Sequence, residues 1–119
     1  MHKLSSFQKG ILAESKAETY LQTYGFNILH KRYKTTYGEI DLIALNKNLL
    51  IFVEVKNRKN IPNYDFITPK QKKRCCQAAE IFIAKNPQYM HFNMRFDCIF
   101  ITKNSIIRHI ENAWDNFSS

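Results

Sequence analysis

The sequence has little of what marks a fibrous, disordered or membrane-spanning chain. Glycine and proline each occur three times in 119 residues, which excludes collagen-like, linker and low-complexity sequences. The longest uninterrupted aliphatic or aromatic run is residues 49–53, far short of the roughly 20 residues that cross a bilayer. The first six residues lack the apolar core of a signal peptide. We therefore expect a cytoplasmic protein with no membrane partner.

Cysteine is also scarce, and its spacing argues against redox and zinc chemistry. Cys75, Cys76 and Cys98 form no Cys-x-x-Cys motif, and two of them are adjacent. We expect small, buried apolar side chains at these positions. The composition is that of an ordinary globular protein, with 45% hydrophobic and 24% charged residues. Residues 1–119 are therefore predicted to form a single domain.

Acidic residues are in the minority, and the basic excess is concentrated. Eighteen Lys and Arg against ten Asp and Glu give a net charge of +8. Seven basic residues lie between Lys56 and Arg74, with Asp65 as the only acid. Such a segment favours an anionic partner, nucleic acid first, although a solvated basic face is the alternative for charge alone. No basic amphipathic helix with aromatic anchors accompanies it, which disfavours an anionic membrane.

Hydrophobic periodicity predicts two helices and five strands. Residues 4–24 carry apolar side chains at helical spacing and end before Gly25. Thr68, Pro69 and Gln71 form a capping box with proline in the first turn, which starts a helix running to about Asn86. The other predicted elements are strands 26–34, 39–45, 49–57, 94–102 and a short 105–110, turns 35–38 and 46–48, and a loop 58–67.

This order predicts an α/β fold, a mixed sheet flanked by helices in the order α-β-β-β-α-β-β. The third strand begins wholly apolar, so we expect it to lie at the centre of the sheet. The C-terminal residues Ala113, Trp114 and Phe117 are expected to dock on the core.

The candidate chemistry lies on the second and third predicted strands. Side chains alternate along a strand, so Glu54 and Lys56 point to one face and Val55 to the other. Asp41 precedes Glu54 by thirteen positions, enough for a hairpin that brings the two carboxylates side by side. Charged groups at the end of an apolar strand are either exposed or part of a site.

A third carboxylate comes from the first predicted helix. Glu14 lies within its apolar arc and Glu18 one turn later, and an acid on a buried face needs a partner. That partner is either a basic residue or backbone amide, or a metal ion shared with Asp41 and Glu54. Two carboxylates about 5 Å apart repel by about 3 kcal/mol at an effective dielectric of about 20. Oxygen ligands suit Mg²⁺ or Mn²⁺.

These residues carry a resemblance to a known family. Asp41 followed by Glu54-Val55-Lys56 resembles the PD-(D/E)XK nuclease superfamily, whose fold is restriction-endonuclease-like. The motifs around it resemble the YraN family of small uncharacterised bacterial proteins over nearly the whole chain. That family is in turn similar to archaeal Holliday-junction resolvases. The matching segments are Ala13-Glu14, Ala17, Tyr20-Leu21, Gly25-Phe26, Gly38–Ala44, Phe52–Arg58, Thr68–Gln71 and Arg95–Asp97.

The resemblance implies roles for four residues. Asp41 and Glu54 would bind Mg²⁺ or Mn²⁺, and Glu14 would complete the metal site or hold its water. Lys56 would position the attacking water, and the carbonyl of Val55 would add a ligand. The family pattern usually has glycine where this chain has Ala13, which would crowd the approach to Glu14.

The basic segment supplies the predicted nucleic-acid contacts, Arg58, Lys59, Lys70, Gln71, Lys73 and Arg74. For Gln71, a role in capping the helix explains its presence as well as a contact with nucleic acid does. Tyr64 and Phe66 would either stack on a base or pack the loop onto the sheet. Glu39 shares a face with Asp41 and would alternatively pair with Arg58 or Lys56. Asp97 is expected to form a structural pair with Arg95, and the histidines show no metal-ligand spacing.

Three functions follow. The first is a metal-dependent endonuclease that hydrolyses DNA phosphodiester bonds, including those of branched DNA. The second is a nucleic-acid-binding module of the same fold without chemistry. The third is an assembly element, in which the aromatic tail and helix 69–86 would form a homodimer.

Overall fold

The computed structural model describes residues 3–60, 67–103 and 105–114. Within these ranges two α-helices and five strands form a mixed α/β fold, which confirms the predicted class. Their order is α1 (Ser6–Thr23), β1 (Asn27–Lys34), β2 (Glu39–Asn46), β3 (Leu49–Arg58), α2 (Pro69–Lys85), β4 (Asn93–Thr102) and β5 (Ile107–Trp114), with a 3₁₀ turn at Pro87–Tyr89.

The five strands form one sheet in the order β1-β2-β3-β4-β5. Neighbouring strands are antiparallel except β3 and β4, which are parallel and are connected through α2. The central position predicted for the third strand is confirmed. Of the predicted loop 58–67, residues 61–66, including Tyr64 and Phe66, lie outside the described residues.

The two faces of the sheet bury different cores. On one face α1 packs its small side chains Ala13 and Ala17, together with Leu21, against aliphatic strand residues. On the other face α2 packs against a mainly aromatic core built around Phe52, Phe96 and Phe100. Both cores are possible because the apolar half of β3 presents alternate side chains to the two faces.

Both helices begin at side-chain caps. The Thr68 hydroxyl accepts a hydrogen bond from the Gln71 backbone amide, and the Gln71 side chain accepts one from the Thr68 amide, which confirms the predicted capping box. Ser5 and Gln8 form the same arrangement at α1. Gly25, at a φ of 92°, follows the end of α1 where a left-handed residue is needed.

The last strand is longer than the sequence predicted. It spans Ile107–Trp114 rather than residues 105–110, because a register shift opposite Phe96 and a positive φ at Asn112 break the alternation that marks a strand. Trp114 therefore lies in β5, where it is buried and its ring stacks on Phe96 at 5.2 Å. Phe117 lies outside the described residues.

Among the described residues, the apolar features proposed for a homodimer lie in the core instead. Cys75, Ala78, Ala79 and Phe82 of α2 are buried against the sheet, as is Trp114. All three cysteines are free thiols; Cys75 and Cys98 are buried, as expected, whereas Cys76 is only half-buried. None of the helices in the described part of the chain has the length and apolarity to cross a membrane.

Candidate active site

Asp41 lies at the point where β2 separates from β3. The ladder between the two strands ends at the pair Leu42 and Val53. Beyond it, Asp41 Oδ2 accepts a hydrogen bond of 2.7 Å from the backbone N–H of Val55. The carboxylate thus replaces the carbonyl that a continuing strand would offer. The Val55 N–H of β3 therefore fixes the position of the Asp41 carboxylate, and Val55 lies between Glu54 and Lys56 in the sequence.

Gly38 allows α2 to approach this point. A Cβ atom at Gly38 would lie 2.4 Å from the carbonyl oxygen of Arg74, so no side chain fits between the turn and the helix. The turn is held by Thr35, whose hydroxyl accepts from the Gly38 amide at 3.0 Å. Glycine before Glu39 therefore brings the basic N-terminal half of α2 against the strand that carries Asp41.

Glu54 and Lys56 point to the same face of β3, as the alternation predicted. Lys56 Nζ lies 3.3 Å from Glu54 Oε1, and Lys56 is only 7% exposed. A buried ammonium needs a charged partner, because desolvation disfavours its charged form. Glu54 supplies that partner, so the pair is held at the end of the apolar half of the strand.

Asp41 and Glu54 repel each other in a desolvated position. Burial, followed by the charge of Glu54, raises the pKa of Asp41 to about 7, against the lowering effect of the Val55 N–H. Glu14 and Glu39 add to this rise. Burial also raises the pKa of Glu54, although Lys56 opposes the rise. The charge of Glu54 therefore disfavours ionisation of Asp41, and a cation would relieve that repulsion.

Glu14 faces the same cavity as Asp41 but is held by a basic residue. Arg32 Nε donates a hydrogen bond of 2.8 Å to Glu14 Oε1, so the alternative of a basic partner is observed. Both residues line a cavity of about 280 Å³ together with Glu39 and Asp41. Glu18, one turn later, lies 3.5 Å from Lys31.

Arg32 is the residue that sequence reasoning missed. It lies on β1 between the residues paired with Ile40 and Leu42, which places it opposite Asp41. Its φ of 51° is unusual for a residue with a side chain and follows a register shift earlier in the strand. The only sequence signal was the basic cluster 31–34, which by itself indicates an anionic ligand rather than an acidic partner.

The donor set fits a hard divalent cation in its chemistry. Asp41, Glu54 and Glu14 offer only carboxylate oxygens, which Mg²⁺ and Mn²⁺ prefer. Among the described residues, however, no group of three or more His, Cys, Asp and Glu side chains is arranged to hold a metal ion. Asp41 and Glu54 would therefore provide the first protein ligands, and Glu14 would join them only after leaving Arg32.

Comparison with known proteins identifies the family. The model of the family described as uncharacterised protein family UPF0102 matches residues 13–101. The chain belongs to the UPF0102 family. This confirms the YraN resemblance, since the two names denote the same family.

Individual members are similar to this chain over nearly its whole length. A UPF0102 protein of Bradyrhizobium diazoefficiens is 41% identical over 95% of this chain and 86% of its own length. One of Rhodopseudomonas palustris is 40% identical over 95% of this chain and 84% of its own. Among solved structures, Pyrococcus furiosus SfsA in complex with Ca²⁺ has a TM-score of 0.36 and 13% identity, covering 87% of this chain and 62% of that one. That likeness is too distant to inform the site.

The predicted nucleic-acid residues of this UPF0102 protein lie in two places. Arg58 and Lys59 are exposed at the end of β3. Lys70, Lys73 and Arg74 are exposed on the first turns of α2, where Arg74 Nε also donates to the Tyr37 carbonyl at 3.3 Å. Gln71 lies among them, with its side-chain oxygen used by the cap.

A second buried carboxylate is structural, as expected. Asp97 is fully buried and accepts two hydrogen bonds of 2.8 Å from Arg95. It also accepts one of 2.7 Å from His109 and one of 3.0 Å from the Asn112 amide. Burial alone would raise the pKa of Asp97, but these hydrogen bonds outweigh it and lower the pKa. The cluster ties β5 to β4.

Proposed function

We propose that this protein is an endonuclease that hydrolyses phosphodiester bonds of DNA with Mg²⁺ or Mn²⁺. The observation that supports it best is the partly buried pair Asp41 and Glu54, in which the charge of Glu54 disfavours ionisation of Asp41, with Lys56 Nζ 3.3 Å from Glu54. Two neighbouring carboxylates destabilise the site when it is empty, because each disfavours the ionised form of the other. A bound cation reverses this effect, which gives a physical reason for placing both carboxylates at one site. The basic start of α2 would hold the phosphate backbone.

Each residue of this chain has a defined task in the proposal. Asp41 and Glu54 would hold the divalent cation, which would supply Lewis-acid activation of the attacking water and of the scissile phosphate. Lys56 donates hydrogen bonds to the attacking water or to a phosphate oxygen. Because Lys56 is nearly excluded from solvent, its charge acts through a low local dielectric, where it is worth more than at the surface.

A cleavage assay on a labelled panel of four-way junction, flap, duplex and single strand tests the proposal. Each substrate is incubated in Mn²⁺, in Mg²⁺ and in chelator with the wild type and Asp41→Asn. Metal-dependent cleavage by the wild type and its loss in the variant are expected. Asparagine keeps the shape and the acceptor for Val55, so a folded but inactive variant separates chemistry from structure. Cleavage that persists in Asp41→Asn would refute the assignment.

The matched control is Glu80→Gln, which makes the same chemical change at an exposed position of α2. It should cleave like the wild type. A homodimer is part of the proposal only for a two-fold branched substrate, because two symmetric cuts need two sites. Sedimentation at several concentrations measures that requirement directly. A cytoplasmic location completes the proposal, since the substrate is found there.

One observation favours a second candidate, a nucleic-acid-binding module without chemistry. Glu14 is engaged by Arg32 at 2.8 Å, so the third carboxylate of the site is already neutralised. A module of this kind would bind nucleic acid with the usual salt dependence, and Asp41→Asn would not weaken that binding. Binding without cleavage under every metal condition would support this candidate over the nuclease.

A further inference from the structure

A second cavity is lined by other residues of α1 than those that line the cavity containing Asp41. It has a volume of about 520 Å³ and is bounded by α1 and by the ends of β3 and β4. Its lining carries five cationic side chains, which we name the basic groove: Lys9, Lys16, Arg58, Lys59 and Lys103. Three of these, Lys9, Lys16 and Lys103, lie outside the basic segment that the sequence singled out.

The basic groove and the candidate active site share α1 as a common wall. Gly10 and Glu14 line the cavity that contains Asp41, whereas Lys9 and Lys16 line the groove. The two are also joined along β3, because Arg58 follows Lys56 by two residues, or about 7 Å of extended strand. A chain bound in the groove would therefore run beside the proposed reacting centre.

The lining of the groove defines the chemistry of its ligand. No Asp or Glu occurs among the described lining residues, so no carboxylate of the lining offsets the charge of the five cations. The floor is aliphatic, formed by Leu12, Ala13 and Ile101, and none of the lining residues that the structure describes has an aromatic ring on which a base would stack. A ligand with repeated negative charges and apolar sugar edges fits this lining better than a free nucleobase does.

We propose that the basic groove binds the sugar–phosphate backbone of a single nucleic-acid strand. A positive groove that follows the backbone is the usual means of holding single strands, and a volume of about 520 Å³ suits a short stretch of one chain. The strand would flank the phosphodiester at Asp41, and this last step alone rests on the proposed function. The binding itself requires neither metal nor cleavage.

The test is the binding of a labelled twelve-nucleotide single strand by fluorescence anisotropy in chelator, across a salt series. The test variant is Lys9→Gln/Lys103→Gln, and the matched control is Lys47→Gln/Lys85→Gln, which removes the same two charges. All four lysines are exposed. Lys47 lies in the turn before β3, about 30 Å of strand from the groove.

The plot of log K against log salt concentration has a negative slope, to which each phosphate contact with a single strand contributes about 0.7. Loss of two contacts should therefore reduce the magnitude of that slope by about 1.4. At 0.1 M salt this corresponds to about 25-fold weaker binding by Lys9→Gln/Lys103→Gln. The control should lose less than about three-fold. Equal losses in the two variants would assign the effect to net charge and overturn the proposal. Wild-type affinity in the groove variant would overturn it as well.

Two further arms test the ligand class. A duplex of the same length should bind the groove less tightly than the single strand, and the opposite order would overturn the proposal. Polyglutamate of equal charge should compete weakly, and equal competition would indicate an acidic protein partner instead. Cleavage is measured separately, so groove-dependent binding without cleavage refutes only the nuclease. Cleavage with no effect of the groove variant on binding refutes only the groove.

Discussion

Replacement of Asp41 by asparagine should make the apo protein more stable at alkaline pH. Asp41 has a pKa of about 7 against an ordinary value of 3.8, because burial and the neighbouring charge of Glu54 disfavour its ionised form. As pH rises from about 4 to about 7, the unfolded chain releases a proton that the folded protein retains. The free energy of unfolding therefore falls over that window. A neutral asparagine at this position would carry no such penalty.

The size of the effect follows from the shift in pKa. A change of about three units corresponds to about 4 kcal/mol at 1.36 kcal/mol per unit. Asp41→Asn should therefore raise the free energy of unfolding by up to about 4 kcal/mol at pH 8 and by about 0.5 kcal/mol at pH 4. The hydrogen bond from the Val55 amide is retained, since the asparagine carbonyl oxygen accepts it.

Urea unfolding in chelator measures this directly. Trp114 is the only tryptophan and is buried against Phe96, so its fluorescence reports unfolding of the sheet. Glu80→Gln serves as the surface control and should stay within about 0.5 kcal/mol of the wild type at each pH. Excess Mn²⁺ should stabilise the wild type more than Asp41→Asn, because only the former keeps both carboxylates. A variant no more stable than wild type at pH 8 in chelator would refute the crowding argument.

Other substitutions test separate parts of the structure. Gly38→Ala should cost about 1–3 kcal/mol in urea unfolding, since its Cβ would lie 2.4 Å from the Arg74 carbonyl oxygen, and wild-type stability would contradict that close approach. Asp97→Asn should cost about 3–5 kcal/mol at pH 7 in the same assay, because the partly buried guanidinium of Arg95 loses its fully buried counter-charge. Arg32→Gln should tighten Mn²⁺ binding about five-fold by calorimetry, as it releases Glu14, and weaker binding would show that Arg32 supports the site.

The parts of the fold that were predicted correctly depend on local patterns. The capping box at Thr68 and Gln71 needs only residues three apart, and the central strand needs only its apolar run. The end of β5 was missed because the residues around Asn112 break the two-residue alternation. A bulge of this kind is decided by the pairing with β4, which a single segment of sequence does not encode.

In the candidate site, too, local patterns predicted some features and missed others. Glu54 and Lys56 share a strand, so their common face follows from alternation, and Asp41 follows from the length of the hairpin. The Arg32–Glu14 pair joins residues 18 positions apart in different elements. Arg32 has a left-handed φ of 51° where β1 passes Asp41. No periodicity predicts that conformation for an arginine.

This pairing changes where a metal ion is to be sought. The sequence left open whether Glu14 pairs with a basic residue or shares a metal ion, and the structure pairs Glu14 with Arg32 and Glu54 with Lys56. Asp41 has no ion-pair partner among the described residues, and its pKa is raised to about 7. The uncompensated charge of the site is thus concentrated on the carboxylate at the fork of β2 and β3. A divalent cation would gain most by binding there first, with Glu54 as its second ligand and Glu14 reached only by displacing Arg32.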